Sequence, residues 1–172
     1  KLRAIRKDDT VTRDGVKIEL FANIEIPADI DDVKYNHADG VGLFRSEFLF
    51  LGRNDHIANE EEQFLAYLHV VKAMKKNSVT IRTADLGADK NPQWNAAHGA
   101  SDNPALGLTG IRMSLAEQGF FRMQLRAILR ASAFGKIQIM FPMISSAWEL
   151  KQAIHQLDLS KEELRDEKIP FH

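Results

Sequence analysis

The chain has 172 residues, sets 23 Lys and Arg against 24 Asp and Glu for a net charge of −1, and contains no cysteine. That length suits about one domain with a real core. The charge balance gives no general pull towards nucleic acid or acidic membranes, so any anion site must be local. Lack of cysteine excludes thiol catalysis, disulfides and cysteine-ligated metals within this chain. No run of 18 apolar residues is present, so membrane insertion is not expected and a cytoplasmic location is.

Residues 1–15 are polar and end in the turn dipeptide Asp14-Gly15, which reads as a linker into a domain filling 16–172. A first strand is expected near residues 18–26, followed by a short helix closed by Gly40, and a second strand near 41–48. The clearest helix follows. Asn59 caps it, Glu62 completes a capping box, and Phe64, Leu68 and Val71 recur on one face. A third strand is expected at 79–84, and the long stretch from Gly87 to Pro104 reads as a functional loop. A second strong helix spans about Glu117 to Phe134, with Phe121, Leu125, Ile128 and Leu129 inward and Gly135 as its stop. Its Arg122, Arg126 and Arg130 form a stripe expected to be solvated. The fourth strand is expected at 137–142, with Met140 and Met143 in the core, and a Ser-capped helix closes the order. The chain opens without Met and stops at residues 168–172 with no closing element, as a piece of a longer protein would.

The order β-α-β-α-β-α-β-α predicts a parallel sheet covered by helices, either a small doubly wound sheet or half of an eight-unit barrel. Both place ligands at the carboxyl ends of the strands. There the sequence sets two arginines, in "LFRSEFLF" and "VTIRTADLG", each with an acid close behind. A guanidinium keeps its charge, so Arg45 and Arg82 either pair with Glu47 and Asp85 or face an external anion such as a phosphate. Arg112 adds a third arginine in a Gly-punctuated stretch, and "DLGADK" gathers Asp85, Asp89 and Lys90 around a glycine without the spacing of a P-loop. The six histidines lack paired ligand spacing and carry no metal assignment.

Together "DGVGLFRSEFLF", "EEEQFLAY", "IRTADLGADK", "NPALGLTGIRMSL", "QLRAILRASAFGKIQIMFPMI" and "ELRDE" resemble the enzyme I family of the bacterial phosphoenolpyruvate:sugar phosphotransferase system, from about Thr12 to Arg165. Nitrogen-type and multidomain fructose-type members share this domain. The resemblance implies an α/β fold, a TIM-type (β/α)8 barrel of which this chain supplies about the first four βα units. It implies that Arg45 and Arg82 bind the phosphate of phosphoenolpyruvate, with Arg112 at the same site and Glu47, Asp85 and Lys90 as supporting neighbours. The family moves that phosphate to a histidine of its own and on to a histidine-containing phosphocarrier protein, using Mg²⁺, and its barrels usually dimerise. Its phosphohistidine, magnesium carboxylates and proton-donating cysteine belong to segments absent here. This chain is therefore expected to carry no catalytic residue or metal ligand of its own.

Some positions depart from the family pattern. Ser46 stands for the commoner Thr, Ala88 for Gly, Thr109 for a basic residue, and "QWNAAHGASD" replaces the usual spacer. The competing reading is a non-catalytic half-barrel that binds anions or a partner.

Overall fold

The computed structural model describes residues 8–50, 58–86 and 108–172. Four strands, β1 (Phe21–Ile24), β2 (Gly40–Arg45), β3 (Val79–Arg82) and β4 (Ile137–Met140), form one sheet in the order β1-β2-β3-β4. Every neighbouring pair is parallel. A doubly wound sheet reverses its strand order at a switch point, whereas a barrel wall runs in sequence order. The sequential order settles the alternative left open by the pattern of elements: this is an α/β fold, a part of a TIM-type barrel. The strands fall where expected and are shorter. At the end of β2 the chain winds into a 3-10 turn (Ser46–Leu49) instead of continuing the ladder.

Between the strands lie α1 (Ile30–Tyr35), α2 (Glu60–Met74), α3 (Ile111–Ala116) and α4 (Gln118–Ser132), and α5 (Ala147–Asp166) follows β4. The expected capping box of α2 is formed: Asn59 accepts from the Glu62 N–H while Glu62 accepts from the Asn59 N–H. Gly40 does not close α1. That helix ends at Tyr35, and the turn passes through His37 at φ 57°. Gly40 instead opens β2, where a Cβ would lie 2.7 Å from the Phe21 ring and 2.8 Å from the Ser78 carbonyl. Two strands can approach there only over a glycine.

Alternation on β3 separates two faces, and a register shift between Val41 and Phe44 brings both of those β2 residues to the inner one. Val41, Phe44, Val79 and Ile81 are buried against Tyr67, Val70 and Val71 of α2 and Ala127, Ile128 and Ala131 of α4. Phe44 and Tyr67 meet edge to face at 5.8 Å. The buried stripe of α2 thus runs through Gln63, Tyr67, Val70, Val71 and Met74, turned from the Phe64–Leu68–Val71 face that spacing suggested. Phe64 lies at the seam with α4, under the Arg130 guanidinium at 4.2 Å. Thr80 and Arg82 alternate with Val79 and Ile81 on β3 and belong to the opposite face, where Thr80 bonds Gln138 of β4 at 3.0 Å. On the expected core residues of β4 the structure differs: Met140 is half-buried, and Met143 is 49% exposed at φ 58°, in the turn after Pro142.

The arginine stripe of α4 is also not a solvated face. Arg126, 13% exposed in its side chain, bonds Glu60 of α2 at 2.7 Å and Glu167, just past α5, at 2.7 Å. Arg130 bonds Glu60 at 2.8 Å and Glu61 at 2.5 Å, and Arg122 reaches Glu163 at 3.4 Å. The acids come from helices distant in sequence, so spacing within α4 alone could not reveal them. This network joins α2, α4 and α5. Arg126→Ala is therefore expected to cost about 1–3 kcal/mol, between an exposed pair and a buried one. Thermal unfolding should read this as a melting temperature lower by about 3–10 °C; an unchanged midpoint would return the stripe to solvent.

Candidate anion site at the carboxyl ends of the strands

Parallel pairing sets Arg45 opposite Arg82, each the last residue of its strand. Neighbouring strands lie about 4.8 Å apart, so two guanidinium groups leave the same level of the sheet side by side. Their repulsion is relieved by one carboxylate. Glu47, only 3% exposed, accepts from Arg45 Nε at 3.3 Å and from Arg82 Nη2 with the same oxygen, Oε1. Arg82 Nη1 also pairs with Asp85 at 3.1 Å, and Arg45 Nη1 pairs with Glu25 beyond the end of β1. The Arg45 guanidinium lies 4.8 Å from the Phe48 ring, which adds a cation–π contact. Among the described residues, Glu47 Oε2 and Arg82 Nε are buried without a hydrogen-bond partner, so the cluster keeps bonding capacity beyond its own pairs.

Arg112 reaches the same rim by another route. Gly110 takes φ 53°, and its N–H bonds the Leu86 carbonyl at 3.0 Å while the Ile111 N–H bonds the Pro142 carbonyl at 3.3 Å. A Cβ at Gly110 would stand 3.2 Å from Asp85 Oδ1 and 3.3 Å from Met143 Cβ. The start of α3 is thereby pinned over the ends of β3 and β4, two residues ahead of Arg112. Arg112 Nε lies 3.5 Å from Glu149. Glu149 is itself fixed: it accepts from the Ser145 N–H and hydroxyl and from the Ser146 N–H at 2.7–3.0 Å. Those bonds, the Ser145 N–H first, hold its carboxyl below the ordinary value, with the Arg112 charge assisting.

Under the arginines lies a buried polar network. Ser46 Oγ donates to the Arg82 carbonyl at 2.6 Å and accepts from Gln124 Nε2 at 3.0 Å. The same amide nitrogen donates to Tyr67 OH at 3.0 Å, and Gln124 Oε1 accepts from the Ala84 N–H at 2.8 Å. Tyr67 OH donates onward to Gln63 at 3.3 Å. Gln124 thus holds the backbone on both sides of Thr83, at the Ala84 N–H directly and at the Arg82 carbonyl through Ser46, just past that arginine. Burial raises the Tyr67 hydroxyl far above the usual range, keeping it neutral and a donor.

Of the residues singled out from sequence, Arg45, Arg82, Glu47 and Asp85 form one cluster, and Arg112 stands at the same rim on its own acid. Lys90 and Ala88 lie outside the described residues. Sequence reasoning missed Glu25, Gln124 and Glu149. Gln124 left a signal, a polar residue between Phe121 and Leu125 on an apolar face, and Glu149 left the Ser-x-x-Glu capping box. Glu25 left none.

A sequential parallel sheet with arginines clustered at its carboxyl end is one wall of an α/β barrel with a charged rim. The comparison with known families agrees in kind: residues 1–172 match the family described as PEP-utilising enzyme, PEP-binding domain, and the chain belongs to it. It is 48% identical over 168 residues to the phosphoenolpyruvate-protein phosphotransferase of Staphylococcus aureus (strain MSSA476), covering 97% of this chain and 29% of that protein. The protein of that name from Cupriavidus necator is 47% identical over 169 residues, covering 95% and 28%. The one from Staphylococcus carnosus is 45% identical over 168 residues, covering 97% and 29%. The chain thus spans less than a third of these relatives.

Two outcomes are expected here. Gln124→Leu keeps the volume but leaves the buried Ala84 N–H without its acceptor and takes one bond each from Ser46 and Tyr67. It should cost about 1–3 kcal/mol in urea unfolding; a change under 0.5 kcal/mol, roughly that of an ordinary surface substitution, would remove the network from the account. Glu149, with its folded-state value below the 4.5 of a free Glu, binds fewer protons folded than unfolded near that pH. Its contribution is whole above 4.5 and is lost as pH falls below. Between about pH 6 and pH 3 the urea midpoint of Glu149→Gln should vary less with pH than that of the native chain. Equal slopes would contradict this.

Proposed function

We propose that this chain is part of a phosphoenolpyruvate-protein phosphotransferase, which moves the phosphoryl group of phosphoenolpyruvate to a histidine of its own chain and on to a histidine-containing phosphocarrier protein, for sugar uptake or its regulation. The observation that carries this reading is the register pair Arg45–Arg82 at the strand ends, clamped on Glu47. Two planar guanidiniums at one level suit the oxygens of a phosphate. In the reaction the bond from phosphorus to the enol oxygen breaks and a bond to the histidine nitrogen forms, leaving an enolate that takes a proton to become pyruvate. Arg45, Arg82 and Arg112 would orient the phosphoryl group and neutralise charge spreading over its oxygens. Glu47 and Asp85 would hold the guanidiniums in place, with Lys90 as a further neighbour.

On this reading residues 1–15 lead into the barrel and 16–172 supply its first half. The attacking histidine, the proton donor and the Mg²⁺ ligands would come from elsewhere in the longer protein. Among the described residues no three His, Cys, Asp or Glu side chains are gathered to hold a metal ion, so these residues by themselves do not fit a magnesium site. A cytoplasmic protein that dimerises through its barrel is part of the same proposal. Among the described residues, no helix is long and apolar enough to cross a membrane.

The test uses the full-length protein that contains this chain, with pyruvate release followed by a coupled dehydrogenase. Arg45→Lys keeps the charge but loses the fork, and should lower kcat/KM about 10- to 100-fold, equivalent to about 1.5–3 kcal/mol. The 172-residue chain by itself should stay at background. Native kinetics in Arg45→Lys with only a lower melting temperature would make these arginines structural; sustained turnover by the isolated chain would relocate the catalytic groups.

A further inference from the structure

All three arginines of the rim carry internal carboxylate partners, and these partners are not equally committed. Glu47 is 4% exposed in its side chain and bridges two guanidiniums. Glu149 is 10% exposed and held by three bonds from Ser145 and Ser146. Asp85 is 26% exposed and lies under Gly110. Glu25 is 48% exposed, and among the described residues its carboxylate has one ion-pair partner, Arg45.

The surroundings confine any movement to the Glu25 side chain. Its backbone N–H and that of Ile26 both donate to Asp29 Oδ2, at 2.9 and 3.1 Å, which fixes the turn after β1. On the other side, Arg45 is anchored by Glu47 through Nε and lies against the Phe48 ring. Arg45 would therefore stay in place if Glu25 left. Among the described residues, the Nη1 edge, where Glu25 sits, changes partner without breaking a buried contact.

We propose that Glu25 is a displaceable counter-carboxylate of this site: it holds the outer donor of Arg45 and swings aside when a phosphate-bearing anion takes that donor. The proposal rests on the phosphoenolpyruvate reading above and adds a residue that tunes affinity at Arg45. A doubly charged phosphate competes well for a guanidinium edge against one carboxylate. The competition still weakens ligand binding by the strength of the pair it breaks. For a half-exposed pair, that strength corresponds to about a two- to five-fold change in affinity.

The experiment measures the KM for phosphoenolpyruvate in the full-length protein, for native, Glu25→Gln, Glu25→Ala and Arg45→Lys, at low and high salt. Both Glu25 variants should lower KM about two- to five-fold at low salt, and the gain should shrink at high salt, where an exposed pair is screened. A purely structural Glu25 would do the reverse, because an Arg45 that lost its support would bind phosphate less well. Arg45→Lys impaired with KM unchanged or raised in both Glu25 variants overturns this inference and leaves the functional reading standing. Arg45→Lys with native kinetics overturns both.

Discussion

The carboxyl end of this sheet depends on one buried carboxylate shared between two guanidiniums. Strand pairing forces Arg45 and Arg82 to the same level, where without Glu47 their charges would push the strand ends apart. A buried ion pair of this kind is weak evidence for stability, because desolvation offsets much of the Coulomb gain. Its effect is positional. Glu47 accepts from both arginines with one oxygen, and its second oxygen and Arg82 Nε are buried without partners among the described residues. With Glu25 and Asp85 counted, the two guanidiniums face three carboxylates.

The layers beneath serve that clamp in turn. Gln124 ties α4 to β2 through Ser46 and to β3 through the Ala84 N–H, so the helix layer and both strand ends are registered by one amide. Arg126 and Arg130 tie α4 to α2 and, through Glu163 and Glu167, to the end of α5. A shift of α4 would therefore be felt at the arginines of the rim as well as in the core. The site is rigid because its supports lie on packed helices, with the 3-10 turn at Ser46–Leu49 as the short link between them. Glu25 stands at the edge of this scaffold on a half-exposed side chain, so the rim combines acids held by several bonds with one held, among the described residues, by the single pair to Arg45.

Much of this was legible in the linear chain, for identifiable reasons. Strand and helix positions follow from apolar periodicity and from caps such as Asn59 with Glu62, which are local properties of short windows. Arg45 and Arg82 stood out because each ends an apolar run, where a permanent charge needs a partner. Their acids, Glu47 and Asp85, lay within three residues. The six quoted motifs pointed to the family whose PEP-binding domain the whole chain matches.

Tertiary structure decided what no window could contain. Glu47 proved to be shared with Arg82, 35 residues away, because register depends on how two strands align. Arg126 and Arg130 looked solvated on their own helix and are clamped by acids 37 to 70 residues distant in sequence. Glu25 gained a role only when parallel pairing brought the end of β1 beside Arg45. Composition and periodicity determine which residues must be buried and which charges need partners. Which partner each charge takes is set by the sheet order and the helix packing, since those long-range alignments alone bring distant side chains within bonding distance.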